Sequence, residues 1–81
     1  MKNQTEEEQR LIAQLGKRLK RFRIQQGFTS YEHFANEHGF SRTQYGRYET
    51  GENMKFITLC RILKAMDISL EIFFSEGFED L

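Results

Sequence analysis

Four polar side chains fall within six consecutive positions of the chain: Arg42, Thr43, Gln44 and Arg47. Each carries groups that match the exposed edge of a base pair. An arginine can bridge O6 and N7 of guanine, a glutamine can pair with adenine, and a threonine methyl can meet the thymine methyl. Ser41 is a good helix N-cap. A helix begun there turns these four side chains outward and carries Tyr45 and Tyr48, three apart, on its inner face. Gly46 leaves the outer face flat at its middle, which predicts close approach to a bulky ligand although glycine weakens a helix. Positions flanking this segment suit phosphate oxygens: Tyr31, Ser41, Thr50, Asn53 and Lys55. Backbone amides at helix N-termini add to them. Lys17 and Arg21 are outlying candidates on another helix.

Other chemistry finds no footing. His33 and His38 are five apart, with no cysteine or acidic cluster to complete a metal site. Nucleophile motifs, phosphate-cradling glycine loops and paired carboxylates are missing, so we expect no catalysis, no cofactor and no metal. The single cysteine, Cys60, lies between Leu59 and Ile62 in an apolar helix pattern and reads as a small core residue.

The elements that must position the polar cluster are all helical. Thr5 followed by Glu8 makes a capping box for a first helix that runs to about Gln26, where Gly27 can end it. Leu11, Ile12, Leu15, Leu19 and Phe22 share one side of it, opposite Lys17, Lys20 and Arg21. Leu11 and Ile12 lie on an N-terminal extension (residues 1–14) that needs cover, from the chain's own C-terminus or from another subunit. Ser30 caps a second helix, Tyr31 to His38, containing Phe34 and the small Ala35, and Gly39-Phe40 make the corner. The third helix, Arg42 to Thr50, stops at Gly51. A fourth, about Lys55 to Met66, is apolar too broadly for a one-sided surface helix. Ser69 caps a last short helix through Phe74, and residues 75–81 form a tail. Five helices and no strand candidate predict an all-α domain over residues 15–74.

Eighty-one residues support one small core. There is no proline, and no apolar run approaches a membrane span. The polar, acidic N-terminus lacks signal-peptide and lipidation patterns, which places the chain in the cytoplasm as an expectation. Net charge is zero, yet between Leu15 and Lys64 ten basic residues stand against four acidic ones, a local net of +6. The balancing acids sit at the ends: Glu6, Glu7, Glu8, Asp67, Glu71, Glu76, Glu79 and Asp80. That asymmetry predicts a positive face.

The order of these segments resembles the phage repressor and Cro-like family, also called the xenobiotic-response-element family. The residues carrying the likeness are LGKRLKRFRIQQG at 15–27, Phe34-Ala35, GFSRTQYGRYETG at 39–51, and the register from Leu59 to Phe74. The resemblance implies a five-helix, lambda-repressor-like domain. Its helix-turn-helix lies at the second and third helices, and the third enters a DNA major groove. It implies base reading by Arg42, Thr43 and Arg47, with Gln44 close behind. It further implies a structural ion pair between Arg23 and Glu49 that fixes the third helix to the first. The chain departs from the pattern where Tyr31 replaces a customary glutamine, His38 replaces an apolar residue and Met54 replaces a frequent proline. The connection through Phe28-Thr29-Ser30 is also one residue longer than usual.

By this likeness the chain is a small homodimeric transcriptional regulator of double-stranded DNA, with an inverted-repeat operator as its target. The apolar surplus at Phe56, Ile57, Ile68, Ile72, Phe74 and Phe78, with Leu11 and Ile12, would supply the dimer surface. The alternative is a protein-interaction module, or an antitoxin-type protein that uses the same fold to hold a partner such as a toxin.

Overall fold

The computed structural model describes residues 4–79; residues 1–3 and 80–81, and with them Asp80 and the two ends of the extension and tail, lie outside it. Five helices follow in order: α1 (Glu6–Gln25), α2 (Tyr31–His38), α3 (Arg42–Thr50), α4 (Phe56–Met66) and α5 (Leu70–Phe73). No strand occurs among the described residues.

Local chemistry sets most of the helix ends. Thr5 Oγ1 accepts the Glu8 N–H at 3.1 Å, and the Glu8 carboxylate accepts the Thr5 N–H at 2.9 Å, closing the capping box. Ser30, Ser41 and Ser69 cap α2, α3 and α5 by accepting the N–H of His33, Gln44 and Ile72. Gly39 (φ 77°) and Gly51 (φ 113°) end α2 and α3 in the left-handed conformation that favours glycine. The fourth helix differs. It begins at Phe56, its N-cap is Lys55, and no side chain satisfies its first amides.

Packing places α3 against both α1 and α2. Leu19, Phe34, Ala35, Tyr45, Leu59, Ile62, Leu63, Met66 and Phe73 form the buried core. Gly16 explains how closely α1 and α3 meet. A Cβ at Gly16 would stand 2.6 Å from the carbonyl oxygens of both Tyr48 and Glu49, so only glycine fits there.

An aromatic cluster accounts for His38 and for the connection after α1. Phe34 packs its ring 4.7 Å from His38, 5.0 Å from Tyr45 and 5.4 Å from Phe28. His38 therefore acts as an aromatic packing residue. The longer connection after α1 lets Phe28 plug the same cluster. Met54 packs half-buried against the core.

Several expectations need correction. Arg18, counted among the surface charges, is buried. Its Nε donates to the Phe73 carbonyl at 2.9 Å and its Nη2 to the Ile72 carbonyl at 3.0 Å. It thereby holds α5 onto α1, with its guanidinium 4.7 Å from the Phe22 ring centre. The C-terminal segment also folds back. Gly77 lies against Gln14 and Arg18, and the Phe78 ring packs 5.0 Å from Phe74. Phe78 and Ile68, expected on the dimer surface, are half-buried against the core. The chain's own C-terminal segment helps cover the extension, for Gly77 lines a groove with Leu11, while Leu11 and Ile12 are half-buried. Cys60 is only half-buried and lines a surface groove with Lys64, Asp67 and Leu70.

Candidate nucleic-acid interface

The mounting of α3 begins with Arg23 and Glu49. Arg23 Nε lies 2.7 Å from one Glu49 oxygen and Nη2 lies 3.0 Å from the other, while Nη1 donates to the Phe28 carbonyl at 2.6 Å. The two side chains are 4% and 6% exposed. This is a bidentate, buried pair joining the end of α1 to the end of α3. Hydrogen bonding to Glu49 outweighs desolvation, so the Arg23 pKa lies above its ordinary value. Tyr45 completes the anchor at 1% exposure. Its hydroxyl is buried beside the pair without a hydrogen-bond partner of good geometry among the described residues. Burial, and then the adjacent Glu49 carboxylate, push its ionisation well above the usual phenol range.

Thr43 and Arg47 are exposed on the opposite side of α3, and Arg42 is exposed at its first position. Gln44, expected to stand with them, is half-buried, and its Nε2 donates to the Glu52 carboxylate at 2.9 Å. At about 100° per residue, Gln44 sits on the flank of α3, away from Thr43 and towards the loop that leads to α4. Gln44 also lines a small cleft there with Thr58 and Ile62. Three of the four expected readers are therefore free, and the fourth is engaged.

The candidate phosphate contacts also divide. Ser41 uses its oxygen as the acceptor in the α3 cap, which leaves its O–H free to donate. Thr50 does the reverse, for its hydroxyl donates within α3 to the Arg47 carbonyl at 3.0 Å. A phosphate oxygen needs a donor, so Thr50 must break that bond before it can serve. Asn53 and Lys55 are exposed beside the uncapped start of α4. Those first-turn amides and the Lys55 ammonium are donors of the kind an anion needs. Lys17 and Arg21 instead line a groove with Glu76 and Gly77 of the C-terminal segment.

The role expected of Gly46 is overturned. A Cβ at Gly46 would stand 2.5 Å from Cε1 and 2.9 Å from Cζ of Tyr31. The space is filled by an aromatic ring from α2, so Gly46 admits Tyr31 and does not leave α3 bare. Tyr31 consequently braces α3 by ring contact.

Burial of Arg18 and Arg23 removes two of the ten central bases from the surface. Lys17, Lys20, Arg21, Arg42, Arg47, Lys55, Arg61 and Lys64 remain exposed. No group of three metal-ligating side chains occurs among the described residues, and no helix of theirs is long and apolar enough to cross a membrane. Sequence reasoning missed Glu52 as the partner of Gln44, and Gly16 as the seat of α3. A glycine inside a strong helix pattern was a usable signal for the second. Compared with known proteins, the chain matches no family model and no curated sequence.

Proposed function

We propose that the chain is a sequence-specific double-stranded DNA-binding protein with the helix-turn-helix arrangement of the phage repressor and Cro-like family, α3 entering the major groove. The observation that carries this reading is the contrast between the two faces of α3. One face is locked by Tyr45 and the buried Arg23–Glu49 pair. The other holds Thr43 and Arg47 exposed, and Arg42 is exposed at the first turn, all with donors suited to base edges. Ser41 and the start of α4, with Lys55, flank that face with donors for phosphate.

A single module of this size makes few base contacts, and doubling the half-site is the usual route to affinity. Phe56 (60% exposed), Ile57 (58%) and Ile72 (55%) supply apolar surface for a second copy. The chain then acts as a homodimeric transcriptional regulator on an inverted repeat. The same apolar surface also supports the other reading, a module whose partner is a different protein such as a toxin.

Selection of sites from random duplex DNA at low salt tests both. Enrichment of an inverted repeat, lost on Arg42→Ala/Arg47→Ala with helical content unchanged, supports the proposal. Binding should weaken steeply with salt, as counterion release requires. Failure to enrich any sequence favours the protein-interaction module.

A further inference from the structure

Tyr31 stands out because α3 lacks a side chain where its ring rests. The ring atoms nearest to the missing Cβ of Gly46 are Cε1 and Cζ, at 2.5 Å and 2.9 Å. Cδ1 follows at 3.1 Å, so one edge of the Tyr31 ring is seated on α3, with the hydroxyl-bearing Cζ at its end. Gly46 lies roughly 40° around the helix from Arg42 and 60° from Thr43, which places it between them on the helix surface. Position 46 is also the middle of α3, one turn past Arg42 and one turn before Thr50. The N-terminal part of a recognition helix meets base edges, and position 46 is one turn past its first residue. Tyr31 is 36% exposed, and its hydroxyl is outside the bonds that occupy Ser41, Gln44 and Thr50.

Resting on the reading of α3 as the recognition helix, we propose that Tyr31 is a base-reading residue. It is supplied from α2 through the gap at Gly46 and stands in for the engaged Gln44 as a polar reader beside Arg42 and Thr43. A phenol hydroxyl can donate to a purine N7 or O6, or accept from an exocyclic amine. Gly46 is then a specificity residue in its own right, because any larger side chain displaces the ring. The two positions form one interlocked reader: α2 contributes the polar group and α3 contributes the vacancy that seats it.

The test compares binding-site profiles of the parent, Tyr31→Phe and Gly46→Ala from the same random duplex pool. Tyr31→Phe keeps the ring on Gly46 and changes no charge, so its thermal midpoint and the salt slope of binding stay at parental values. Its profile should lose preference at one base pair of each half-site, by roughly 5- to 100-fold in discrimination. Gly46→Ala pushes the ring aside and should relax the same base pair. Uniform weakening across all sequences makes Tyr31 a phosphate anchor and overturns the proposal, as does an unaltered profile. A parent that enriches no sequence overturns the reading of α3 and this inference with it. A parent that enriches a site shared unchanged by Tyr31→Phe overturns this inference alone.

Discussion

Replacing Arg23 with methionine removes three charge-assisted hydrogen bonds at once, two to Glu49 and one to the Phe28 carbonyl. The Glu49 side chain is 6% exposed, so water cannot take the place of the guanidinium without the structure opening. An ion left unpaired in such a site costs about 3–5 kcal/mol. A domain of 81 residues has a total stability of about 4–12 kcal/mol at the usual value per residue. Arg23→Met should therefore consume between about a quarter of the folding free energy and all of it. The instructive comparison is Arg23→Met/Glu49→Leu, which removes both charges and fills the space with carbon. That double variant should recover most of the loss, remaining about 1 kcal/mol below the parent because the Phe28 carbonyl still lacks its donor. Urea unfolding followed by helical circular dichroism measures each variant. Where Arg23→Met is unfolded in buffer, the series moves into trimethylamine N-oxide, which strengthens folding for all variants. The reasoning fails if Arg23→Met loses less than about 1 kcal/mol, since a pair buried this deeply is then not holding α3 to α1. It fails equally if the double variant is no more stable than Arg23→Met, since desolvated charge is then not the cause.

Three further outcomes follow from the same geometry. Gly16→Ala should destabilise by about 1–3 kcal/mol in urea unfolding, despite alanine's better helix propensity, because its Cβ meets backbone oxygens that cannot swing aside. At alkaline pH the buried Tyr45 phenol should weaken the fold. Unfolded tyrosine ionises near 10.0 and the folded one higher, so its contribution is complete below pH 10 and falls as pH rises beyond it, by about 1.4 kcal/mol per pH unit. Urea midpoints across that range should flatten in Tyr45→Phe, and an unchanged slope would locate the alkaline sensitivity elsewhere. Phe56→Ser/Ile57→Ser should raise the dimer dissociation constant at least about tenfold in sedimentation experiments, with a thermal midpoint near that of the monomeric parent, because both side chains are exposed.

Helix ends were legible in the sequence wherever a cap reaches only three residues along the chain. Thr5 with Glu8, Ser30 with His33 and Ser41 with Gln44 are bonds of this kind, and the residue types alone announce them. The inward turn of Tyr45 followed from helical period for the same reason. What stayed hidden depends on how two helices approach. Arg18 bonds a carbonyl 55 residues away, and no local rule distinguishes it from its exposed neighbours Lys17 and Lys20. Its place four residues before Phe22, within the apolar stripe of Leu15 and Leu19, was the one available hint. Gly46 and Tyr31 are the sharper case. Read singly, the glycine marked a bare face and the tyrosine a departure from the family pattern. Only the crossing of α2 over α3 converts two anomalies into one contact, the ring filling the volume that the glycine leaves. The side chains that face outward are set by chain period, but which of them remain free is set by neighbours across a turn. Gln44 satisfies the period and is nevertheless engaged by Glu52, while Tyr31 arrives on the reading face from a different helix. If α3 reads DNA as proposed, its specificity lies in the angle between α2 and α3 as much as in the sequence of α3. Substitutions that loosen the Phe34, Phe40 and Tyr45 rings between those helices should therefore alter base preference before they unfold the domain.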